Sequence, residues 1–165
     1  MQPKVRSFLA AALPLLLADR ASKVLAYADL QPIGIPHQAI GDVVRLTLLL
    51  NRNAALDVSL GSWSRWGFAL IAVIGVIVVV RLLWRSQPQA RLRGMALGLI
   101  AAGAIGNLVD RLRWDRGVVD FIDLGLGSHR FWTFNLADAG VMTGAFLLAV
   151  AFSRETSPKP ASPDR

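Results

Sequence analysis

The chain has 165 residues, of which 54% are hydrophobic and 18% charged, and its 18 basic and 11 acidic side chains give a formal net charge of +7. This composition argues against a disordered chain and an ordinary soluble domain, and the basic residues interrupt apolar runs instead of clustering, so nucleic acid is not an expected partner. With no cysteine and two distant histidines, His37 and His129, the sequence contains no disulfide, no thiol nucleophile and no pattern of metal ligands.

The first apolar segment begins at Ser7 and, after a short charged interruption, continues to Tyr27. About 20 residues are enough for a helix to cross a hydrocarbon core about 30 Å thick. A cleavable signal peptide is the alternative, because Lys4 and Arg6 precede an apolar stretch that is followed by small residues. Three further segments of membrane length, and the polar motif after Leu17, favour a retained helix.

Three later segments are apolar over lengths that exceed the roughly 10–14 residues typical of a buried core helix. Small residues recur at four-residue spacing in the third segment (Gly98, Ala102, Gly106) and in the fourth (Gly140, Gly144). In lipid, such spacing allows helices to approach closely. The sequence therefore predicts four transmembrane helices, at about residues 7–27, 66–84, 94–111 and 135–152.

The segments between these helices differ in composition. Between helices 1 and 2, the β-branched and apolar stretch from Val43 to Asn51 indicates a strand. The segment from Arg111 to Arg130 is dense in Asp, Arg and Gly and is predicted to be a loop.

The predicted fold is a mainly α membrane protein with a small extracytoplasmic β-containing region between helices 1 and 2. Residues 1–153 form one domain, and residues 154–165, with three prolines, form a disordered cytoplasmic tail.

The distribution of charge predicts the orientation. With four spans, both termini and the loop Arg85 to Arg93 lie on one side, which carries nine basic and two acidic residues, whereas the other side carries nine of each. Because the basic residues of the first side are concentrated near the ends of the spans, the termini are expected in the cytoplasm. The net charge of +7 therefore indicates which side of the chain faces the cytoplasm.

Ionisable residues at membrane depth are costly and therefore suggest function. Asp19 and Lys23 are four residues apart on the first helix, where a structural ion pair is the simpler explanation. Asn107 and Asp110 share a face at the end of the third helix. Asn135 and Asp138 repeat the three-residue spacing where the fourth helix begins, and an N-cap pair is the simpler explanation there.

Three aspartates are candidates for chemistry: Asp120, Asp123 and Asp138. Two carboxyl groups brought together could share one proton, one acting as a base toward water and the other as an acid toward a carbonyl or a leaving amine. The dipole of the fourth helix would stabilise a negative charge on Asp138, and a carboxyl group held beside that charge would have a raised pKa. Composition alone leaves open which two aspartates form the pair.

Five motifs, in order, resemble those of the lipoprotein (type II) signal peptidases of bacteria. DRASK (Asp19 to Lys23) is similar to D-x-x-S/T-K, and NRNAAL (Asn51 to Leu56) to N-x-G-A-A-F. GNLVDR (Gly106 to Arg111) matches G-N-x-x-D-R, VVDF (Val118 to Phe121) matches the segment with the first catalytic aspartate, and FNLAD (Phe134 to Asp138) matches F-N-x-A-D. Each motif alone is weak, but five in register on four spans are specific.

The resemblance implies an aspartic endopeptidase of the bacterial inner membrane that cuts prolipoproteins just before a diacylglyceryl-modified cysteine. It implies Asp120 and Asp138 as the catalytic dyad. It also implies an active site at the extracytoplasmic face, no metal or organic cofactor, membrane lipids and modified prolipoproteins as partners, and a monomer. The residues implied to bind substrate or support the dyad are Asp19, Lys23, Asn51, Asn107, Asp110, Arg111 and Asn135.

The second motif departs from the family pattern. Asn53 replaces the family glycine, Leu56 replaces the aromatic residue, and Asp57 follows where a small residue is usual. Asparagine tolerates left-handed backbone geometry best after glycine, so the turn can survive. The departure leaves a second hypothesis, a non-enzymatic or altered-specificity membrane paralogue that binds lipoproteins or lipids. A small transporter is disfavoured, because its ionisable residues should lie near mid-membrane rather than at one face.

Overall fold

The computed structural model describes residues 1–53 and 61–156. Within these ranges the chain forms long helices and short strands, with a 3₁₀ turn at Gly61–Trp63 before the second helix. In chain order the elements are α1 (Pro3–Asp29), β1 (Pro36–Ile40), β2 (Val44–Asn51), α2 (Ser64–Arg85), α3 (Arg91–Arg113), β3 (Val118–Leu126), β4 (His129–Arg130) and α4 (Leu136–Thr156).

Each of the four apolar segments is helical. Three stretches in the described part of the chain are long and apolar enough to cross a membrane: Ser64–Arg85, Arg91–Arg113 and Leu136–Arg154. Helix α1 has 27 residues but contains Asp19, Arg20 and Lys23. Helix α4 continues to Thr156, so the tail predicted to begin at residue 154 starts too early. The first helix breaker in that region is Pro158, and residues 157–165 lie outside the described part.

Helix α3 packs against the other three helices. The predicted small-residue faces are confirmed as close contacts: a side chain at Gly98 would overlap the backbone of Phe8 in α1, and one at Gly144 would overlap the backbone of Ala96 in α3. At the end of the bundle that holds the N-terminus, the buried Lys4 donates hydrogen bonds from Nζ to the backbone oxygens of Trp84 and Ser86. This contact ties α1 to the end of α2, where carbonyl groups lack helical partners.

The strands form an antiparallel sheet in the order β1-β2-β3-β4. The predicted strand at Val43–Asn51 is confirmed as β2. The prediction of a loop for Arg111 to Arg130 is wrong, because β3 lies within it and pairs with β2. The β region therefore also includes the segment between α3 and α4.

The sheet packs onto the C-terminal end of α1. Leu48 of β2, Val119 and Phe121 of β3 and Ala26 of α1 form a buried cluster. This packing holds β3 close to the end of α3 and the start of α4, where the candidate polar residues lie.

Candidate active site

Asn135 connects Asp120 of β3 to Asp138 in the first turn of α4. Its Nδ2 donates to Asp120 Oδ1 at 2.7 Å, its backbone N–H donates to Asp138 Oδ2 at 3.2 Å, and its Oδ1 accepts from the Asp138 backbone N–H at 3.0 Å. The last two bonds form a reciprocal cap at the start of α4. The N-cap pair considered from the sequence therefore exists, and the same asparagine also contacts the second aspartate.

A further amide binds each carboxyl group. Asn51 Nδ2 donates to Asp120 Oδ2 at 3.1 Å, and Asn107 Nδ2 donates to Asp138 Oδ1 at 2.8 Å. Each aspartate therefore accepts hydrogen bonds at both carboxyl oxygens, and the four bonds come from β2, α3 and the residue before α4. Residues far apart in the sequence thus hold both carboxyl groups in a fixed orientation.

The environment of Asp120 raises the pKa of its carboxyl group to about 7. Burial is the main cause, because it disfavours the charged form, and the neighbouring charge of Asp138 adds to the effect. Hydrogen bonds from Asn51 and Asn135 act in the opposite direction and favour the charged form. The direction agrees with the expectation from the sequence for a carboxyl group held beside Asp138, but burial contributes more than the neighbouring charge to the raised pKa of Asp120.

Lys23 lies in a buried cluster that contacts Asn107, the residue whose amide donates to Asp138. Its ammonium group contacts Asp19 Oδ2 at 2.9 Å, Asp110 Oδ2 at 3.0 Å and Asn107 Oδ1 at 2.8 Å. Three acceptors match the three N–H donors of a lysine. The ion pair considered from the sequence is present, and through Asn107 it also contacts the hydrogen-bond network of the aspartates.

The two acidic members of this cluster also bind backbone groups. Asp19 Oδ1 accepts from the Ala137 N–H at 2.9 Å, at the start of α4. Asp110 Oδ2 accepts a long hydrogen bond, 3.4 Å, from the Val119 N–H on β3. The cluster thereby fixes the positions of the two elements that carry the aspartates.

Within the part of the chain that the structure describes, Arg111 donates its hydrogen bonds to backbone carbonyl groups. Its guanidinium donates to the carbonyl oxygens of Asn107 and Asn53, each at 3.2 Å. The Asn53 N–H in turn donates to Asn51 Oδ1 at 2.9 Å. Arg111 and Asn51 together hold the end of β2 beside Asp120. The other departures from the family motif, Leu56 and Asp57, lie outside the described residues.

Asp123 is oriented away from this site. It lies on the opposite face of β3 from Asp120, since strand side chains alternate. It accepts a hydrogen bond from Thr47 Oγ1 at 3.2 Å and pairs with Arg130 at 2.9 Å. Of the three candidate aspartates, the structure therefore brings together Asp120 and Asp138.

Two cavities meet at Asp120. The smaller one is lined by both Asp120 and Asp138 and leaves about 20 Å³ open to the centres of water molecules, which is room for one water. The larger is a groove of about 630 Å³ with apolar walls that include Ile33 and Leu49. Trp132 and Thr133 line both cavities. Neither residue is among the candidates from the sequence, although both directly precede the FNLAD motif.

No group of three or more His, Cys, Asp or Glu residues within residues 1–53 and 61–156 is arranged to hold a metal ion. The polar side chains that line the water-sized cavity include two carboxyl groups, several amides and the guanidinium group of Arg111.

Comparison with known proteins identifies the family. The family model described as signal peptidase (SPase) II matches residues 11–154. A lipoprotein signal peptidase of Cronobacter sakazakii is 38% identical over 143 residues, covering 82% of this chain and 81% of the relative. One from Burkholderia vietnamiensis is also 38% identical over 143 residues, covering 86% and 84%.

A solved structure described as a bacterial membrane enzyme superimposes with a TM-score of 0.84. It is 27% identical and covers 98% of this chain and 96% of its own. Both the fold and the sequence therefore agree with the family model over most of the chain. The chain belongs to the signal peptidase II family of aspartic peptidases.

Proposed function

We propose that this chain removes signal peptides from diacylglyceryl-modified prolipoproteins by cutting just before the lipidated cysteine, with Asp120 and Asp138 as the catalytic residues. One observation carries this proposal: the two carboxyl groups line one cavity that has room for a single water. The names of the relatives support the substrate class.

Asp138 is the base and Asp120 the acid in this proposal. The positive end of α4 stabilises the negative charge of Asp138, which takes a proton from the water as the water oxygen attacks the scissile carbonyl carbon. Asp120, whose pKa is about 7, carries a proton near neutral pH and donates it to the carbonyl oxygen. When the tetrahedral intermediate collapses, Asp138 gives its proton to the amine of the cysteine as the C–N bond breaks. One hydroxyl of the intermediate returns a proton to Asp120, so the signal peptide leaves with a new carboxyl group and both aspartates regain their starting states.

The surrounding residues orient the dyad and the substrate. Asn135, Asn51 and Asn107 hold the carboxyl oxygens. Lys23, Asp19 and Asp110 fix the ends of the elements that carry them, and Arg111 holds the end of β2 beside the groove. The groove next to Asp120 offers apolar walls for an extended peptide close to the water-sized cavity.

We infer that α1 spans the membrane in addition to α2, α3 and α4, which gives four spans. The charged side chains of Asp19 and Lys23 are only 2% and 1% exposed, because they pair inside the bundle instead of facing lipid. The termini then lie in the cytoplasm, and the sheet and the site lie at the extracytoplasmic face of the inner membrane. The chain through the end of α4 acts as one domain and as a monomer, in contact with membrane lipids and needing no cofactor.

The first prediction tests the dyad. Purified protein is incubated with a diacylglyceryl-modified prolipoprotein, and release of the signal peptide is followed by gel shift and mass spectrometry. Asp120→Asn and Asp138→Asn each remove a group that must exchange a proton, so cleavage should fall by at least about a thousandfold. Asp123→Asn is the matched control, because Asp123 is also a buried aspartate of β3 but binds Thr47 and Arg130.

Loss of cleavage in the Asp123 variant, with cleavage retained in the Asp120 variant, would contradict the assignment of the dyad. If the wild type does not cleave under conditions in which a known family member does, the non-enzymatic paralogue suggested by Asn53, Leu56 and Asp57 becomes the better explanation. Thermal unfolding of each variant in detergent shows whether it is folded.

A further inference from the structure

A second apolar cavity lies beyond the dyad, at the far end of β3. It has a volume of about 700 Å³ and is bounded by the sheet, by the segment after β4 and by α4. We call it the distal pocket and define it by six of its lining residues: Val43, Leu124, Leu126, Phe131, Phe134 and Met142. The roles proposed above for the dyad and the groove do not involve this pocket.

The distal pocket continues the face of β3 that carries Asp120. Because side chains alternate along a strand, Asp120, Leu124 and Leu126 point to the same side. Leu124 is about 13 Å along the strand from Asp120, at a rise of roughly 3.3 Å per residue. Phe131 lines both the distal pocket and the groove beside Asp120, so the two spaces adjoin.

The distal pocket also reaches a helix that is apolar enough to span the membrane. Met142 is the seventh residue of α4, about 9 Å from the start of the helix at 1.5 Å per residue, and it is 55% exposed. Phe146 follows one turn later on the same face and is 68% exposed. The pocket is therefore continuous both with the catalytic groove and with the apolar surface of α4.

The cation at the rim of the pocket is already paired. Arg130 donates from Nε to Asp123 Oδ1 at 2.9 Å and from Nη1 to the Asp42 carbonyl oxygen at 2.7 Å. It also donates from Nη2 to the Asp123 carbonyl oxygen at 2.9 Å. Three of its five N–H donors are engaged in these bonds and its charge is paired with Asp123, so Arg130 holds the β1–β2 turn to β3 rather than attracting an anionic headgroup. The remaining chemistry of the pocket suits a hydrocarbon chain.

We propose that the distal pocket binds one acyl chain of the substrate's own diacylglyceryl group. This inference rests on the proposed function, because the lipidated cysteine directly follows the bond that Asp120 and Asp138 would cleave. An acyl chain on that residue starts near the groove and, passing Phe131, enters an apolar space without crossing water. Burial of the chain there contributes binding energy and aligns the scissile bond with the dyad.

The test compares a substrate peptide carrying two palmitoyl chains with the same peptide carrying two hexanoyl chains. Met142→Trp and Leu126→Trp each fill the distal pocket from a different wall. Each should lower the palmitoyl-to-hexanoyl ratio of kcat/KM by about tenfold relative to wild type. Tenfold corresponds to about 1.4 kcal/mol, or the burial of roughly two methylene groups.

Phe146→Trp is the matched control, because it adds a similar indole one turn along the same face of α4, outside the pocket. Its ratio should equal that of the wild type. If Met142→Trp does not fold, Leu126→Trp alone decides the test. An unchanged ratio in every folded pocket variant would overturn the proposal.

A binding measurement separates this inference from the proposed function. The palmitoyl substrate carries a diazirine near the end of one chain, and the photo-crosslinked residues are mapped by mass spectrometry. Crosslinks at Phe134 or Met142, which line the distal pocket but not the groove, support the pocket even if no cleavage occurs, in which case the proposed function alone fails. Cleavage accompanied by crosslinks only at other positions overturns the pocket and leaves the proposed function standing.

Discussion

At the scale of single residues, the orientation of two side-chain amides determines the site. Lys23 can only donate hydrogen bonds, so its contact with Asn107 Oδ1 directs the NH₂ group of that amide toward Asp138. The Asp138 backbone N–H fixes Asn135 in the same way, which directs its NH₂ group toward Asp120. A buried lysine that touches neither aspartate of the dyad therefore controls a hydrogen bond to one of them.

The raised pKa of Asp120 leads to a prediction about pH. If Asp120 must donate a proton, kcat should fall about tenfold per pH unit above about pH 7, where the carboxyl group loses that proton. Asn51→Ala removes a hydrogen bond that favours the charged form, so the pKa should rise and the alkaline limb should move up by about one pH unit. Steady-state kinetics on a diacylglyceryl-modified peptide between pH 5 and pH 9 measure this shift.

Thr47→Ala is the control for the pH experiment. Thr47 donates to Asp123 on the other face of β3, so its removal should leave the position of the alkaline limb unchanged. A limb that does not move in Asn51→Ala, or that moves equally in Thr47→Ala, would contradict Asp120 as the titrating acid. Because Asp120 and Asp138 interact, the position of the alkaline limb reflects the coupled titration of both carboxyl groups rather than the pKa of one isolated group.

At the scale of helices and strands, the sequence predicted what depends on local pattern. Runs of apolar residues identified α1 to α4, and β-branched residues identified β2. Strand β3 was missed because Asp120 and Asp123 lie within it, and aspartate is depleted in strands. The partners that permit these aspartates there, such as Asn51 and Arg130, are distant in sequence or across a turn.

Candidate site residues could be selected from the sequence, but the contacts between them could not be predicted from it. Spacing placed Asp19 beside Lys23 on one helix, yet nothing in the spacing shows that Lys23 also reaches Asp110 and Asn107 on α3. Those contacts depend on how closely the helices approach, which is determined by packing between elements. The same holds for Thr133, whose position in two cavities follows from the pairing of its segment with β3.

Close helix packing leads to a prediction about stability. Gly98 of α3 lies against the backbone of Phe8 in α1, so Gly98→Ala would force the two helices apart. We expect a loss of about 1–3 kcal/mol, as for overpacking in other cores, seen as a lower unfolding temperature in detergent. Gly75→Ala in α2 is the control, because a methyl group there meets nothing within 4 Å and alanine favours helix. Equal stability of the two variants would contradict this view of the α1–α3 contact.

At the scale of the whole molecule, the buried polar network of the site lies at one end of the bundle, and contacts to backbone groups close the other end. The buried polar network occupies the end that carries the sheet, where α1 and α3 finish and α4 begins. At the other end, Lys4 and the α2–α3 connection close the bundle through backbone contacts. A peptide bond delivered to the membrane surface on the side of the sheet would meet the dyad without any charged group crossing the hydrocarbon core.

The proposed orientation can be tested by chemical labelling, because the chain has no cysteine and single-cysteine variants therefore carry one thiol. Gln38 on β1 and Gln89 in the α2–α3 connection are both exposed and lie at opposite ends of the bundle. In intact spheroplasts, a membrane-impermeant maleimide should label Gln38→Cys, whereas Gln89→Cys should react only after lysis. The excess of basic residues near the ends of the spans on the side of Gln89 is the physical reason, since such segments stay in the cytoplasm. Labelling of both thiols before lysis would place them on the same side, which contradicts the single span, α2, between them and the proposed placement of the site. The reverse pattern would place the dyad in the cytoplasm.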